Sequence, residues 1–395
     1  MPARPRLTRG LLAALAFVGA VGPLATDLYL ASFTDIASEL GAPAASVQLT
    51  LTAFLLGLGV GQLVLGPLSD QLGRRPVLVT AMGVFAASSI ALAFTPGIEL
   101  FIALRAVQGI AGASGMVIAR AIVVDLAEGA AAVRAISLLV MLTSLGPLIA
   151  PPLGGVILTL GDWRAVLGVL AAAATAMFAL AAALVPESLP PEQRTQAGMR
   201  TTLRSFGVLL RDARFVALVG IFALGFGSMM AYISASPFVG QLVLGMSALH
   251  YSLGFAAGAT ALILMNLLNA QLAGRVPAKR MLLIGCALVL GAGIALSALS
   301  VTGALSPPLF IACAFVLSGG AGLIMSNGSA LALLRAGAHR GAASALLGAA
   351  QFAVGGLASP LVGAWGEHTA VPMALFVLAA SALAFAGALA FRGRA

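Results

Sequence analysis

The chain has 395 residues, of which 61% are apolar and 8% charged, and its mean hydropathy is +1.09. Soluble domains carry roughly 25% charged residues, so a water-solvated globule is excluded and most of the surface must face lipid. The net charge of +9 is no nucleic-acid footprint, because the basic residues are scattered through short segments between apolar runs.

A bilayer crossing needs about 20 apolar residues. Cutting the chain at polar and Gly/Pro-marked breaks predicts twelve spans, at 10–34, 45–67, 76–95, 98–120, 133–160, 163–185, 213–239, 248–273, 279–301, 307–334, 339–365 and 371–391. Arg4, Arg6 and Arg9 ahead of the run Gly10 to Ala25 have the look of a secretory signal. The run continues past Asp27 through Tyr29, Leu30 and Phe33, which predicts an uncleaved first span. With both ends cytoplasmic, every basic residue except Arg164 (an outer loop) and Arg105 (inside a span) falls on the cytoplasmic side or at its rim. That asymmetry supports both the count and the orientation.

Within span 1, Asp27 is the sole acid deep in an apolar run, and Arg105 is its counterpart in span 4. At about 1.5 Å per residue both lie about 10 Å from the outer end, level with one another. Each costs about 2.5–3.5 kcal/mol on insertion scales, so neither is expected to be idle. Burial and a neighbouring cation push a carboxyl in opposite directions, which suits a proton switch; a fixed ion pair that only locks the helices is the bland alternative.

Between spans 2 and 3 the ten residues Gly66 to Arg75 read as a short loop with one acid, Asp70, and the pair Arg74 and Arg75. Span 5 holds Gly146, Pro147, Pro151, Pro152, Gly154 and Gly155 within ten residues, which predicts a helix that bends and packs closely. Pro186 to Asp212, rich in Pro and charge, reads as a linker after six spans. The expected organisation is therefore a six-helix bundle at 1–185, a cytoplasmic linker at 186–212 and a second six-helix bundle at 213–395. Ala273 to Arg280 occupies the place of the Asp70 segment in the second half, keeping the basic residues but not the acid. Cys286 and Cys313 lie in apolar runs and read as small buried hydrophobes. His250, His339 and His368 are dispersed, so no metal-ligand spacing arises, and no Walker loop points to ATP.

The Gly66–Arg75 segment resembles the signature loop of the major facilitator superfamily, which joins the second and third helices on the cytoplasmic side. Thr26-Asp27-Leu28-Tyr29-Leu30 resembles the acidic first-helix motif of its drug:proton antiporters, and Leu104-Arg105-Ala106-Val107-Gln108-Gly109 their fourth-helix motif. The span 5 segment is similar to the antiporter motif Gly-Pro-x-x-Gly-Gly, with Ala150 where the first glycine of the pair is usual. Gln48 to Thr52 and Ala119 to Asp125 resemble the Bcr/CflA branch, whose members export drugs such as chloramphenicol, bicyclomycin and sulfonamides.

The resemblance implies an all-α integral-membrane fold of two six-helix bundles alternating access around a midplane site. It implies proton coupling through Asp27 and Arg105. It implies gating roles for Gly66, Asp70, Gly73, Arg74, Arg75, Arg120, Gly146, Pro147, Pro151, Gly154 and Gly155, with Asp70 latching onto the start of span 11 near Arg340 to Ala343 and Arg74 and Arg120 completing that cluster. Candidate cavity residues are Tyr29, Phe54, Gln108, Met229, Met230, Tyr232, Asn266, Asn327 and Gln351. Aromatics, methionine and neutral amides suit neutral or weakly cationic amphipathic compounds. The expectation is a non-enzymatic multidrug exporter of the bacterial inner membrane, monomeric and without a cofactor, whose partners are a small-molecule drug, protons and the lipid bilayer, not nucleic acid. The alternative is an exporter of a native metabolite such as a sugar, an amino acid or a self-made antibiotic. An integral-membrane enzyme would need clustered His or acidic residues at a membrane face, and none occur; a transporter-like receptor would have little reason to keep buried charges.

Overall fold

The computed structural model describes residues 7–127, 129–143, 145–194, 199–363, 366 and 368–390. Among them, twelve helices are long and apolar enough to cross a membrane: Arg9–Glu39, Ala44–Leu72, Arg74–Ala93, Ile98–Leu126, Arg134–Leu160, Trp163–Leu184, Ala213–Val243, Ala248–Leu272, Ala278–Val301, Pro307–Arg335, Arg340–Gly363 and Val371–Ala390. They are numbered here as spans 1 to 12. Their outward faces carry large apolar side chains, such as Val60, Ile90, Leu160, Leu264 and Leu383, that only lipid can cover.

Several span starts are fixed by side chains that accept the first free amides. Asp162 accepts from Ala165 before span 6, and Asp212 accepts from Arg214 (3.0 Å) before span 7. Ser247 accepts from His250 before span 8, and Pro307 opens span 10 where its missing N–H costs nothing.

The chain packs as two compact units. One holds Met1–Tyr29 with Ala53–Met199; the other holds Leu30–Thr52 with Arg200–Ala395. Within the first, span 3 packs on spans 4 and 6; within the second, span 9 packs on spans 10 and 12. The same three-helix arrangement thus recurs six spans later. The second unit also takes up the end of span 1 and the start of span 2, Leu30–Thr52. Thr52 Oγ1 donates to the Gly356 carbonyl (2.9 Å) and Ser359 Oγ to the Gln48 carbonyl (3.3 Å), both in span 11 against span 2.

Three local features depart from the sequence reading. Span 1 is not one helix: it runs Arg9–Gly19, Val21–Asp27, a 3-10 turn Leu30–Ser32 and Phe33–Glu39, with Leu28 and Tyr29 outside any helix. The segment read as a ten-residue loop is mostly helix, since span 2 continues to Leu72 and span 3 starts at Arg74. Nothing in Ser69 to Leu72 stops a helix, and the reversal is made by Gly73 alone, at φ +106°, which a side chain would rarely tolerate. Span 5 is divided into Gly129–Thr143 and Gly146–Leu160, with Pro147 in the first turn of the second piece.

Candidate functional site

Asp27 ends the helix Val21–Asp27, immediately before the break in span 1, and is buried. The break is shaped by span 5. Its Gly146 lies against Pro23, and a methyl group on Gly154 would overlap the Leu28 carbonyl oxygen. The two ends of the Pro/Gly motif thus clasp the six residues around Asp27, and glycine at 154 is what lets the backbones meet. Asp27 Oδ1 lies 2.9 Å from the Thr26 hydroxyl, which is also 3.0 Å from the Gly22 carbonyl. Thr26 has one proton to share between them. It donates to an ionised Asp27; opposite a protonated Asp27 it accepts and donates to Gly22.

Arg105 is wholly buried, at 0% exposure, in a cage of a different kind. Its guanidinium carbon sits 4.1 Å from the centre of the Phe54 ring and 4.6 Å from that of Tyr29. Nη1 donates to Gln108 Oε1 (2.6 Å), and Gln108 Nε2 donates to Ser89 Oγ (2.7 Å). Tyr29 stacks on Phe101 (6.3 Å between centroids), which packs on Trp163 (6.2 Å). A desolvated cation–π contact is worth about 2 kcal/mol or more. Two ring faces and an amide are therefore of the size needed to offset the cost of about 2.5–3.5 kcal/mol for the charge. Gly109, one residue on from Gln108, lets span 4 press against the Phe54 carbonyl.

Asp27 and Arg105 share the first unit but form no ion pair with each other. Equal depth, which sequence supplies, does not fix azimuth. Tyr29, Phe54 and Gln108, expected in a drug cavity, are the walls of the Arg105 cage.

Where span 2 turns into span 3 in the first unit, Arg74 is the hub. It pairs with Asp70 one turn back in span 2, donates through Nε to Asp125 (3.1 Å) and through Nη1 to Ser69 Oγ (2.7 Å). Its backbone N–H donates to Glu187 Oε1 (2.9 Å), and Ser188 Oγ donates to Asp125 (2.8 Å). Arg75 instead caps span 6, donating to the carbonyls of Val185 and Ala182 (2.9 Å each). Asp70 sits in the last turn of span 2, where the helix dipole disfavours a carboxylate, so the neighbouring guanidinium is its local compensation. Gly66 packs beside Val117. Arg120, placed in this cluster by the sequence reading, makes no ion pair there among the described residues; Asp125, five residues on, faces Arg74 instead. Glu187 also joins the hub, although an acid in a Pro-rich linker carries no local sequence signal of a partner.

In the second unit the candidates separate into two groups. Tyr232 packs on Phe255 and Phe310 (6.1 and 5.6 Å), beside the Ser236–Tyr251 hydroxyl pair (2.8 Å). Asn266 accepts from Ser326 (2.7 Å), and Asn327 Nδ2 donates to Asn269 Oδ1 (3.0 Å), joining spans 8 and 10. Met230 is buried against Gly355, while Met229 and Gln351 are half-buried. No group of three or more His, Cys, Asp or Glu able to hold a metal occurs among the described residues. An apolar groove of the first unit, lined by Leu65, Leu68, Val77, Val84 and Val107, includes neither Asp27 nor Arg105.

Twelve apolar spans in two helical units, with a buried acid at a helix break, define a multi-pass membrane protein. A sequence model of the Major Facilitator Superfamily matches residues 15–360. The chain is 35% identical over 383 residues to an uncharacterized MFS-type transporter, YdgK, of Bacillus subtilis (strain 168), covering 96% of this chain and 94% of the relative. It is 30% identical over 374 residues to a bicyclomycin resistance protein homolog of Haemophilus influenzae, covering 95% and 92%. The fold superposes on the xylose transporter XylE from E. coli with a TM-score of 0.72 at 17% identity, over 94% of this chain and 96% of that one. The chain belongs to the major facilitator superfamily, in its Bcr/CflA branch.

Proposed function

We propose that this transporter exports neutral or weakly cationic amphipathic drugs, chloramphenicol-like in size and polarity, across the bacterial cytoplasmic membrane in exchange for protons, working as a monomer with both termini cytoplasmic. The observation that carries this reading is Asp27: an acid buried at the break of span 1, clasped by span 5, with a single hydroxyl partner able to serve either protonation state. The bicyclomycin-resistance name of one relative supports a drug as cargo.

Asp27 is the proton site, and protonation and drug binding exclude one another. Arg105 supplies a fixed positive field from its aromatic cage and presents Gln108 and Tyr29. Neutral amides of spans 8 and 10 recognise the cargo, and the Arg74 hub holds the cytoplasmic ends of spans 2, 3, 4 and 6, with Asp70 exchanging its pairing with Arg74 for span 11 as the gate closes. One proton falling through 100 mV delivers about 2.3 kcal/mol, enough for a concentration ratio on the order of 50.

The test is drug uptake into inverted membrane vesicles, or transport in reconstituted ones, with and without a pH gradient. Gradient-driven transport that vanishes in Asp27→Asn is expected. Gradient-independent transport, or an amide variant that still concentrates drug, would refute the exchange.

A further inference from the structure

The break in span 1 falls where the chain passes from one compact unit to the other, between Tyr29 and Leu30. The segment beyond it, Leu30 to Glu39, is gripped by one side chain of span 7. Gln241 Nε2 donates to the Ala31 carbonyl (3.0 Å), and Gln241 Oε1 accepts from Thr34 Oγ1 (3.2 Å). Both ends of the amide are used, which fixes its orientation. The rings of Phe33 and Phe238 pack beside it at 6.0 Å.

Gln241 does not sit in ordinary helix. Span 7 ends in a π-helical turn, Val239–Val243, just after Pro237. A π turn inserts an extra residue, which rotates the residues beyond it, and such turns are frequent at functional sites.

The gripped turn also carries a local deficit. The Ser32 hydroxyl is wholly buried and has no hydrogen-bond partner. In a continuous helix, Ser32 would bond back to the carbonyl four residues earlier, that of Leu28. That carbonyl is turned toward Gly154 of span 5. The broken span thus leaves Ser32 unsatisfied, whereas a helix continuous through Leu28 would offer it a carbonyl.

We propose that Gln241 is a positioning residue for Asp27: by holding Leu30 to Thr34 against span 7, it keeps the hinge at Leu28–Tyr29 bent and so sets the surroundings of the acid one residue away. The coupling to transport rests on the proposed proton exchange; the grip itself does not. Loss of the grip lets span 1 straighten, withdraws the Leu28 carbonyl from Gly154 and moves Asp27 relative to Thr26.

The test uses the full chain in nanodiscs and measures amide hydrogen exchange in peptides covering 28–40. Gln241→Leu, which removes both bonds, should change exchange there by about tenfold, as expected for two net hydrogen bonds. Thr34→Val removes one bond with little risk to the fold and should give a smaller change in the same direction. Asp27→Asn should alter exchange of the same peptides in wild type but not in Gln241→Leu, since the connection runs through the grip. Unchanged exchange in both Gln241→Leu and Thr34→Val overturns the grip. A changed exchange in which Asp27→Asn acts equally on either background overturns the positioning of Asp27. In vesicles, Gln241→Leu should also shift the pH profile of transport, and a readout confined to KM would contradict it. If wild-type transport ignores the gradient, the exchange mechanism fails while the hydrogen-exchange result still decides the grip.

Discussion

The first unit buries charge and the second buries neutral polarity. Asp27 and Arg105 lie in the first, one against a hydroxyl and a helix break, the other inside a ring cage. In the second, hydroxyl–hydroxyl, amide–hydroxyl and amide–amide pairs join Ser236 to Tyr251, Ser326 to Asn266 and Asn327 to Asn269. Both units repeat the same three-helix packing, so the difference is not one of architecture. It teaches that one helical frame tolerates very different polar groups, provided each charge has its own local compensation. A neutral pair in a membrane interior contributes about 0.6 kcal/mol on average. A buried charge is several times more consequential in either direction. Mutations in the first unit should therefore be severe and those in the second graded.

The largest effect is expected at Arg105. Arg105→Met removes the cation from its cage and should abolish transport while leaving folded protein, measured by vesicle uptake alongside size-exclusion chromatography. Arg105→Lys keeps a charge but loses the planar fork over two rings and the Gln108 bond, and should fall by at least about tenfold. Equal activity of Arg105→Met and wild type would break the contrast between the units outright.

Next comes Gly154→Ala. The added methyl overlaps the Leu28 carbonyl, and overpacking of this kind costs about 1–3 kcal/mol. Span 5 must move away from span 1, so a lower melting temperature and slower transport should appear together in thermal-shift and uptake assays. A fully active, equally stable variant would mean that the clasp around Asp27 is incidental.

The second unit should respond more gently. Asn327→Ala and Asn266→Ala each remove one neutral pair, so KM for different drugs should shift by about threefold, unequally, with little change in the pH dependence. A pH profile as disturbed as that of an Asp27 variant would erase the distinction between the units.

The smallest effect is expected at the ends of spans 7 and 10. There Arg335 donates from Nε and Nη2 to Asp212 (2.6 and 2.9 Å). This hydrogen-bonded guanidinium, aided by the capped amides of Arg214 and Phe215, holds the Asp212 carboxyl below the usual carboxylate range. A carboxyl depressed on folding stabilises the fold above its ordinary value near ~4 and loses that contribution as pH falls through the depressed one. Melting measured from pH 7 down to pH 3 should therefore decline less steeply in Asp212→Asn than in wild type. The difference will be small, because an exposed pair is screened by water and salt.

The twelve spans were legible because long apolar runs alternate with short basic segments, and lipid imposes that pattern on any chain that crosses it. Asp27 and Arg105 were legible for the same reason, as isolated charges in such runs. That they form no ion pair was not legible, since distance along a helix gives depth and not direction. The break at Leu28–Tyr29 carries no Pro or Gly of its own; against its flanks lie Gly154, which meets the Leu28 carbonyl, and Gln241, which bonds Ala31 and Thr34, residues more than a hundred positions away. The Gly66–Arg75 segment misled in the opposite sense. Its polarity reads as loop, yet Ser69, Asp70 and Gln71 sit comfortably in a helix that ends only where Gly73 reverses the chain. Ser89 and Glu187 were invisible because a lone hydroxyl or acid acquires meaning only from what faces it.

Proton release on drug binding tests the central claim most directly. Detergent-purified protein in weakly buffered solution, given a saturating chloramphenicol-like drug near neutral pH, should acidify the medium in wild type and not in Asp27→Asn. Undiminished proton release from the Asp27→Asn variant would contradict the account.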